Sequence, residues 1–121
     1  MAKERTPESM NLDAVGTYLQ MQGYFFFRVN NGGVYDVTKK IHRALPKFSI
    51  KGVSDFIVVH DGQVYFIEIK NEKTLTHPKT YQSPEQKAFE AMIEANGSNY
   101  HVVRSLDDIK VIFPRRARQV V

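Results

Sequence analysis

Residues 52–70 read GVSDFIVVHDGQVYFIEIK, and this stretch decides the fold. It contains two β-rich runs, residues 53–60 and residues 63–70, with the dipeptide Asp61-Gly62 between them. Asp-Gly between two such runs is the strongest short-range signal for a β-hairpin with a two-residue turn. The sequence therefore predicts two antiparallel strands whose register is set by that turn.

The predicted register brings two acidic residues together. Counting outward from the turn, His60 faces Gln63, and Asp55 comes to lie opposite Glu68 on one face of the sheet. Residues that face each other in this way have Cβ atoms about 4.5–5.5 Å apart, and like charges at that distance are destabilising. A bound Mg²⁺ ion would turn the repulsion into a binding site, because hard cations prefer clustered carboxylate oxygens. The alternative is an edge position at which both side chains are in water.

Two further charged residues are expected near this pair. Lys70 projects from the same face as Glu68, about 6–7 Å farther along the strand. A cation there can neutralise the carboxylates, contact a phosphate or orient a water molecule, although it also suits an ordinary ion pair. Glu8 lies at one end of the apolar stripe of a predicted first helix, the stripe that should face the sheet. An acid on that stripe needs a partner, although acids are also common in first turns because of the helix dipole.

The other elements follow from caps, breakers and apolar periodicity. The capping-box pattern Ser83-x-x-Gln86 opens a helix whose core-facing side is expected to include Phe89, Met92 and Ile93. The predicted elements are, in chain order, a helix that ends at Gly23, a strand over residues 24–29, the hairpin, the helix from Ser83 to Asn96, a strand over residues 100–104 and a short helix before Pro114. The order αβββαβα predicts an α/β fold, a small mixed β-sheet flanked by helices.

Composition excludes several classes of protein. The chain has 121 residues, 42% of them hydrophobic, which is enough for one domain with its own core. It contains no cysteine, which excludes disulfide scaffolds, thiol nucleophiles and thiolate zinc sites. No apolar run approaches the ~20 residues that a membrane span needs. We therefore expect a single soluble, cytoplasmic domain over residues 1–121, with no organic cofactor.

Positive charge is concentrated in two segments. The chain has 17 Lys and Arg against 13 Asp and Glu, which gives a net charge of +4 at pH 7. One segment runs from residue 109 to the end of the chain, and the other covers residues 37–51. The second segment has no acid and contains Lys39, Lys40, Arg43, Lys47 and Lys51. Basic segments of this kind are typical of nucleic-acid-binding surfaces, although a merely solvated surface has the same composition.

The hairpin carries a motif that resembles that of a nuclease superfamily. Gly52-x-x-Asp55 followed by Glu68-Ile69-Lys70 resembles the PD-(D/E)XK motif, with Ser54 in place of its proline. A longer pattern, over about residues 8–109, is similar to the VRR-NUC branch of that superfamily. It comprises Glu8, Arg28-Val29-Asn30, the hairpin, Ser83-x-x-Gln86 and Gly97. The resemblance implies a restriction-endonuclease-like core and a metal-dependent phosphodiesterase.

The resemblance also implies a role for each residue of the motif. Three groups would hold Mg²⁺ or Mn²⁺: Asp55, Glu68 and the backbone carbonyl of Ile69. Lys70 would orient the attacking water or help to deprotonate it. Glu8 would be an additional ligand, acting directly or through water, and Gln86 would line the site.

The expected activity is that of a DNA endonuclease specific for branched structures such as four-way (Holliday) junctions. Minimal VRR-NUC members, of phage and bacterial type, resemble symmetric dimers that act on such junctions, so we expect a homodimer. The aromatic run at residues 24–27 is a candidate for the dimer interface or for simple core packing. Two alternatives stay open, a monomeric flap-cutting or nicking nuclease and a non-catalytic nucleic-acid-binding protein with a nuclease fold. RNA in place of DNA stays open as well.

Overall fold

The structure is a computed structural model, and it describes residues 7–29, 35–36, 41–42, 47–71 and 81–116. Within these ranges the helices are α1 (Pro7–Met21), α2 (Pro84–Ala95) and α3 (Leu106–Ile112). The strands are β1 (Phe25–Arg28), β2 (Tyr35–Asp36), β3 (Ile41–His42), β4 (Phe56–His60), β5 (Gln63–Ile69) and β6 (Asn99–Val103). None of the described helices has the length and apolar character needed to cross a lipid bilayer.

The hairpin of β4 and β5 has the predicted register. His60 pairs with Gln63 next to the turn, and the pairing continues without interruption to the start of β4. Both turn residues have positive φ, 50° for Asp61 and 75° for Gly62. Positive φ at both positions defines the type I′ turn, whose twist matches that of the strands it joins. The turn therefore sets which residues face each other along the whole hairpin.

The main sheet is mixed, as the sequence predicts. Its four strands lie in the order β1-β4-β5-β6, with β1 and β5 antiparallel to β4 and with β6 parallel to β5. Parallel neighbours need a crossover connection, and the chain makes it through α2. The coarse prediction of an α/β fold with a small mixed sheet and helices is confirmed. The short strands β2 and β3 form a separate two-stranded sheet, in a region where the predicted elements include no strand.

One face of the main sheet forms the hydrophobic core under α1 and α3. Val58 and Ile67, from the middle of the hairpin, are fully buried there. The predicted apolar stripe of α1 is confirmed, because Val15 and Leu19 are also fully buried and belong to the same cluster. The buried cluster consists of Val15, Tyr18, Leu19, Tyr24, Phe56, Val58, Ile67, Ile69, Val103, Ile109 and Phe113.

Helix α2 covers the opposite face of the sheet. Its Phe89 is buried, and the centroid of the ring lies 5.5 Å from that of Phe66 and 6.1 Å from that of Tyr100. The prediction that Met92 faces the core is wrong, since its side chain is 61% exposed. The physical reason is that α2 packs on the edge strand β6 and buries Phe89 as its main contact.

The backbone of Gly52, in the segment before β4, packs directly against the backbone at the start of α2. Its φ is +83°, a conformation that strains any residue with a side chain. A Cβ at this position would lie 2.4 Å from the carbonyl oxygen of Glu85 and 2.8 Å from the backbone nitrogen of Gln86. The two backbones are therefore in direct contact, and only glycine allows that approach.

Gly52→Ala should lower the free energy of unfolding by about 3 kcal/mol, roughly 1 kcal/mol from the backbone conformation and the rest from displacement of α2. Urea denaturation measures the change. Gly62→Ala is a matched control, because Gly62 has φ +75° but open space around the added Cβ, and it should cost only about 1 kcal/mol. Equal losses in the two variants would mean that the contact with α2 does not constrain the fold.

Candidate metal centre

Glu68 is a carboxylate enclosed within the sheet. Its side chain, on β5, is 0% exposed. Oε2 accepts one hydrogen bond from the hydroxyl of Tyr100 and a second, of 3.2 Å, from Nε2 of Gln82. Oε1 is buried and has no hydrogen-bond partner among the described residues. Because a buried carboxylate oxygen without a donor is costly, Oε1 is the atom that a bound ligand would satisfy.

Asp55 lies next to Glu68, as the hairpin register predicts. It precedes β4 by one residue, and its Oδ2 accepts a 2.7 Å hydrogen bond from the backbone N–H of Ile69 on β5. Its own carbonyl accepts a 2.8 Å bond from the N–H of Val29, which holds the end of β1 at the same point. Ser54, at the position where the motif has proline, is fully buried and donates to the carbonyl of Phe56. The Asp55 side chain is thus fixed to the strand that carries the second carboxylate.

Lys70 supplies a positive charge to the same cluster. Its side chain is only 8% exposed. Burial raises the pKa of Glu8, of Asp55 and of Glu68, and the ammonium charge of Lys70 opposes the rise in each case, so Lys70 lies within electrostatic range of all three carboxyl groups. Buried lysines are uncommon unless they have a polar or charged partner, and this one has carboxylates around it.

Helix α1 brings Glu8 to the cluster. Asn11, one helical turn after Glu8, donates from Nδ2 to the carbonyl of Lys70 at 3.3 Å and to the carbonyl of Arg104 at 3.0 Å. These two bonds anchor the first turns of α1 across the ends of β5 and β6. Glu8 is half-buried there, and burial raises its pKa, with the charge of Asp55 acting in the same direction.

Burial is the main influence on the pKa values of the three carboxyl groups. It raises the pKa of Glu8, Asp55 and Glu68, and in each case it is the largest effect. The charge of Lys70 and the hydrogen bonds to Asp55 and Glu68 act in the opposite direction but do not overcome it. Burial also raises the pKa of Tyr100, with Glu68 as the next cause, so the phenol stays protonated and remains a donor. A further cation beside the carboxyl groups would favour their ionised forms.

The donor groups fit a divalent ion that keeps part of its water shell. No group of three His, Cys, Asp or Glu side chains is arranged for metal binding in the part of the chain that the structure describes. Glu8 therefore does not form a three-carboxylate cluster with Asp55 and Glu68. Mg²⁺ commonly binds through one or two carboxylates and several waters, so two carboxylates with a carbonyl suit it. The unpartnered Oε1 of Glu68 is the structural observation that supports this fit.

The glutamine that contacts Glu68 is Gln82, whereas Gln86 caps α2. Oε1 of Gln86 accepts from the N–H of Ser83 at 2.8 Å, and Oγ of Ser83 accepts from the N–H of Gln86 at 3.2 Å. The predicted capping box is therefore confirmed. The structure shows the Gln86 side chain in this box, and Gln82 lies immediately before it and reaches the carboxylate.

Gln82 and Tyr100 are the site residues that sequence reasoning missed. Tyr100 pairs with Phe66 in the parallel register of β5 and β6, which places it on the face of the sheet that carries Glu68. The turn of a hairpin shows in the sequence how its two strands are paired. A parallel pair of strands joined through a helix has no such local signal. For Gln82, the sequence feature that comes closest to predicting a role at the site is its position directly before the capping box.

Lys47 and Lys51 are the predicted nucleic-acid-binding residues that the described segments include. Both are exposed, on the segment that leads to Asp55 and β4. Between them Phe48 is 91% exposed, and Nζ of Lys47 lies 5.3 Å from the centroid of its ring. The other three predicted contacts lie outside the described residues: Lys39, Lys40 and Arg43.

Comparison of the chain with protein-family models, with curated proteins and with solved structures gave no match. What the site can do is therefore inferred from its residues and their geometry. The structure places Asp55 beside Glu68, with the backbone N–H of Ile69 bonded to Asp55. The charge of Lys70 acts on both acids, and Glu8 lies within range of Lys70 but outside a three-carboxylate cluster.

Asp55→Asn should raise the melting temperature of the metal-free protein at pH 7. The substitution removes a charge that burial disfavours and that repels Glu68, and the amide oxygen can still accept from Ile69. We expect a gain of up to about 1 kcal/mol, or roughly 4 °C, in thermal denaturation with EDTA present. Asp107→Asn, at an exposed position of α3, is the control and should give no gain. A marked loss of stability in Asp55→Asn would mean that the acidic pair is structural.

The gain from Asp55→Asn should shrink as the pH falls. An acid whose pKa is raised by folding binds its proton more tightly in the folded state than in the unfolded state. Its destabilising effect is therefore full above the raised pKa and disappears below the ordinary value of 3.8. The melting temperatures of the wild type and the variant should converge as the pH is lowered from neutral toward about 4. A difference that stays constant with pH would contradict this account.

Proposed function

We propose that this chain is a metal-dependent endonuclease that hydrolyses phosphodiester bonds in DNA, of the VRR-NUC type within the PD-(D/E)XK superfamily. The observation that carries the proposal is the position of Asp55 beside Glu68, with the buried charge of Lys70 next to both. These are the residues to which the motif resemblance assigns metal binding and activation of water. The mixed four-stranded sheet with helices on both faces supports a restriction-endonuclease-like core.

Asp55, Glu68 and the backbone carbonyl of Ile69 would hold Mg²⁺ or Mn²⁺. One oxygen of each carboxylate already has a protein donor, Oδ2 of Asp55 from Ile69 and Oε2 of Glu68 from Tyr100. The oxygens that remain, above all Oε1 of Glu68, are the natural donors to an ion. When bound, such an ion polarises the scissile phosphate, lowers the pKa of a bound water and stabilises charge on the leaving oxygen.

Lys70 would orient the attacking water. An ammonium group has three N–H donors and no acceptor, so it can hold a water molecule and a phosphate oxygen at the same time. Burial of the side chain among Glu8, Asp55 and Glu68 keeps this group at the site and limits its freedom to turn toward solvent. Hydrolysis by water also needs no covalent nucleophile from the protein.

Glu8 and Gln86 would contribute indirectly. Glu8 lies within range of the charge of Lys70 but outside a three-carboxylate cluster, so it would contact the ion through water. Gln86 would act through the capping box, which fixes Ser83 and, with it, the neighbouring Gln82. Gln86 would therefore act on the site through Gln82, the residue that contacts Glu68.

The proposed substrate is branched DNA, with the four-way junction preferred. Exposed Lys47 and Lys51 on the segment before Asp55 favour a polyanion near the carboxylates. Contacts to phosphates give affinity and position but carry no base sequence. We therefore propose that the shape of the nucleic acid is recognised.

A homodimer formed through β1 would suit two opposed cuts in such a junction. On this edge strand Phe25 is 66% and Phe27 47% exposed, and their ring centroids lie 6.4 Å apart. Val59 and Val64, in register with Phe25, extend the exposed apolar surface across the sheet. An apolar edge strand favours pairing with another chain, and two-fold pairing of identical surfaces is the commonest arrangement.

Cleavage of four labelled substrates tests this activity: a four-way junction, a flap, a plain duplex and a single strand, each with Mg²⁺, Mn²⁺ or EDTA. We expect paired symmetric nicks in the junction and metal-dependent cutting that Glu68→Ala abolishes, because the variant loses the carboxylate proposed to bind the ion. Glu94→Ala, at an exposed position of α2, is the matched control and should retain activity.

The pattern of products separates the alternatives. Cutting confined to flaps by a monomeric protein would support the flap nuclease and contradict the junction-cutting dimer. Salt-sensitive binding to every substrate without cutting would contradict the nuclease and support a non-catalytic binding protein. Cutting of RNA in preference to DNA, in the same panel, would overturn the proposed substrate.

Lys70→Ala should lower the cleavage rate by at least about 100-fold, the usual size of an acid–base or water-orienting contribution. Binding of Mn²⁺ and of DNA should stay within a few-fold of the wild type, because Lys70 is placed for chemistry and not for ligation. Lys70→Met preserves more of the buried side-chain volume and should show the same loss, which separates chemistry from packing. The control is Lys87→Ala, at an exposed position of α2. Equal losses of binding and cleavage would contradict the proposed role of Lys70.

A further inference from the structure

Tyr100, Gln82 and Glu68 form a closed ring of hydrogen bonds. Nε2 of Gln82 donates to Oε2 of Glu68 and to the hydroxyl of Tyr100, both at 3.2 Å, and the same hydroxyl donates to Oε2. An amide group has two N–H donors and a phenol has one O–H with lone pairs to accept, so the available hydrogens match the bonds of the ring. Oε2 thus accepts two bonds, whereas Oε1 has none from the described residues.

Both donors of the ring are themselves held in place. Tyr100 is 7% exposed, and its ring lies edge-on to Phe89 of α2. Gln82 directly precedes Ser83, whose backbone and side chain are both engaged in the capping box of α2. Gln82 lies in the connection from β5 to β6, whereas Tyr100 lies on β6 and is held by the pairing of that strand with β5.

We propose that Tyr100 and Gln82 are positioning residues that fix the carboxylate of Glu68 so that Oε1 alone is presented to a divalent cation. This inference rests on the proposed function, which supplies the identity of the ligand as a Mg²⁺ or Mn²⁺ ion. A carboxylate that can rotate offers either oxygen or both, whereas a carboxylate bonded through Oε2 offers one oxygen in one orientation. Hydrogen-bond partners of metal ligands commonly change metal affinity by 10–100-fold when they are removed.

Binding of Mn²⁺ to the full chain, without nucleic acid, tests the proposal directly. The signal of free Mn²⁺ in electron paramagnetic resonance gives the affinity, and it requires no catalytic activity. Tyr100→Phe removes the hydroxyl and keeps the buried ring, and we expect it to weaken Mn²⁺ binding by about 10-fold. Gln82→Leu should weaken binding as well, and the double variant should lose less than the product of the two single losses, because the two donors share one ring.

Tyr18→Phe is the matched control for the loss of a buried hydroxyl. Tyr18 is 8% exposed, and its hydroxyl donates to the carbonyl of Phe113 at 2.7 Å, within the core under the opposite face of the sheet. We expect both Tyr18→Phe and Tyr100→Phe to lower the melting temperature, because each loses a buried hydrogen bond, but Tyr18→Phe should leave the affinity for Mn²⁺ unchanged. A purely structural role for Tyr100 would give the same result in both variants.

The outcomes distinguish this inference from the proposed function. If Tyr100→Phe binds Mn²⁺ as tightly as the wild type while Glu68→Ala does not bind it, the positioning role is overturned and the metal site stands. Equal weakening in Tyr18→Phe and Tyr100→Phe would also overturn it. If the wild type itself binds no Mn²⁺, the metal site fails and the inference fails with it. If the wild type binds Mn²⁺ but cuts no substrate, the nuclease proposal fails and the affinities still decide the roles of Tyr100 and Gln82.

Discussion

The buried carboxylate of Glu68 is the constraint on which the rest of the site depends. An ionised acid inside a protein is costly unless donors and cations offset the loss of water. Two donors on Oε2 and the charge of Lys70 offset part of that cost, yet burial still raises the pKa of the group. An apolar side chain would serve the interior of a sheet better. The acid, one oxygen of which has no donor among the described residues, is therefore a feature that stability alone does not explain.

Two separate parts of the chain form the site, and each makes a different contribution. The hairpin supplies the chemical groups, because its turn fixes Asp55 beside Glu68 and places Lys70 two residues farther on. The connection from β5 to β6, together with β6 itself, supplies the supporting donors, with Gln82 just before α2 and Tyr100 near the start of β6. A parallel neighbour requires such a connection, so the mixed topology of the sheet is what delivers both donors to one oxygen. An antiparallel β6 joined by a short turn would leave no segment to carry Gln82.

The difference between local and non-local signals explains how far the sequence alone could predict this structure. The hairpin, the ends of α1 and α2 and the juxtaposition of Asp55 with Glu68 follow from turn and cap residues that lie within a few positions of each element. Tyr100 and Gln82 were not predictable, because the pairing of β5 with β6 has no local marker. Met92 was misjudged for a related reason. Periodicity shows that one side of a helix is apolar, but it does not show how much sheet is available to cover it.

The charges at the site and on the segment before it bear on the proposed function. Three carboxyl groups, those of Glu8, Asp55 and Glu68, are within range of the charge of Lys70, and Asp55 is also within range of the charge of Arg28. Among the described residues, three ionised acids would thus face two cations, which leaves a local excess of negative charge. The chain as a whole has a net charge of +4, and exposed lysines lie on the segment that leads into the site. A polyanion attracted by the basic segment would be repelled by the carboxylates. A divalent cation between carboxylates and phosphate removes that conflict, since it attracts both. A surface used only to bind nucleic acid has no need of acids at its centre, and this contrast favours catalysis over binding alone.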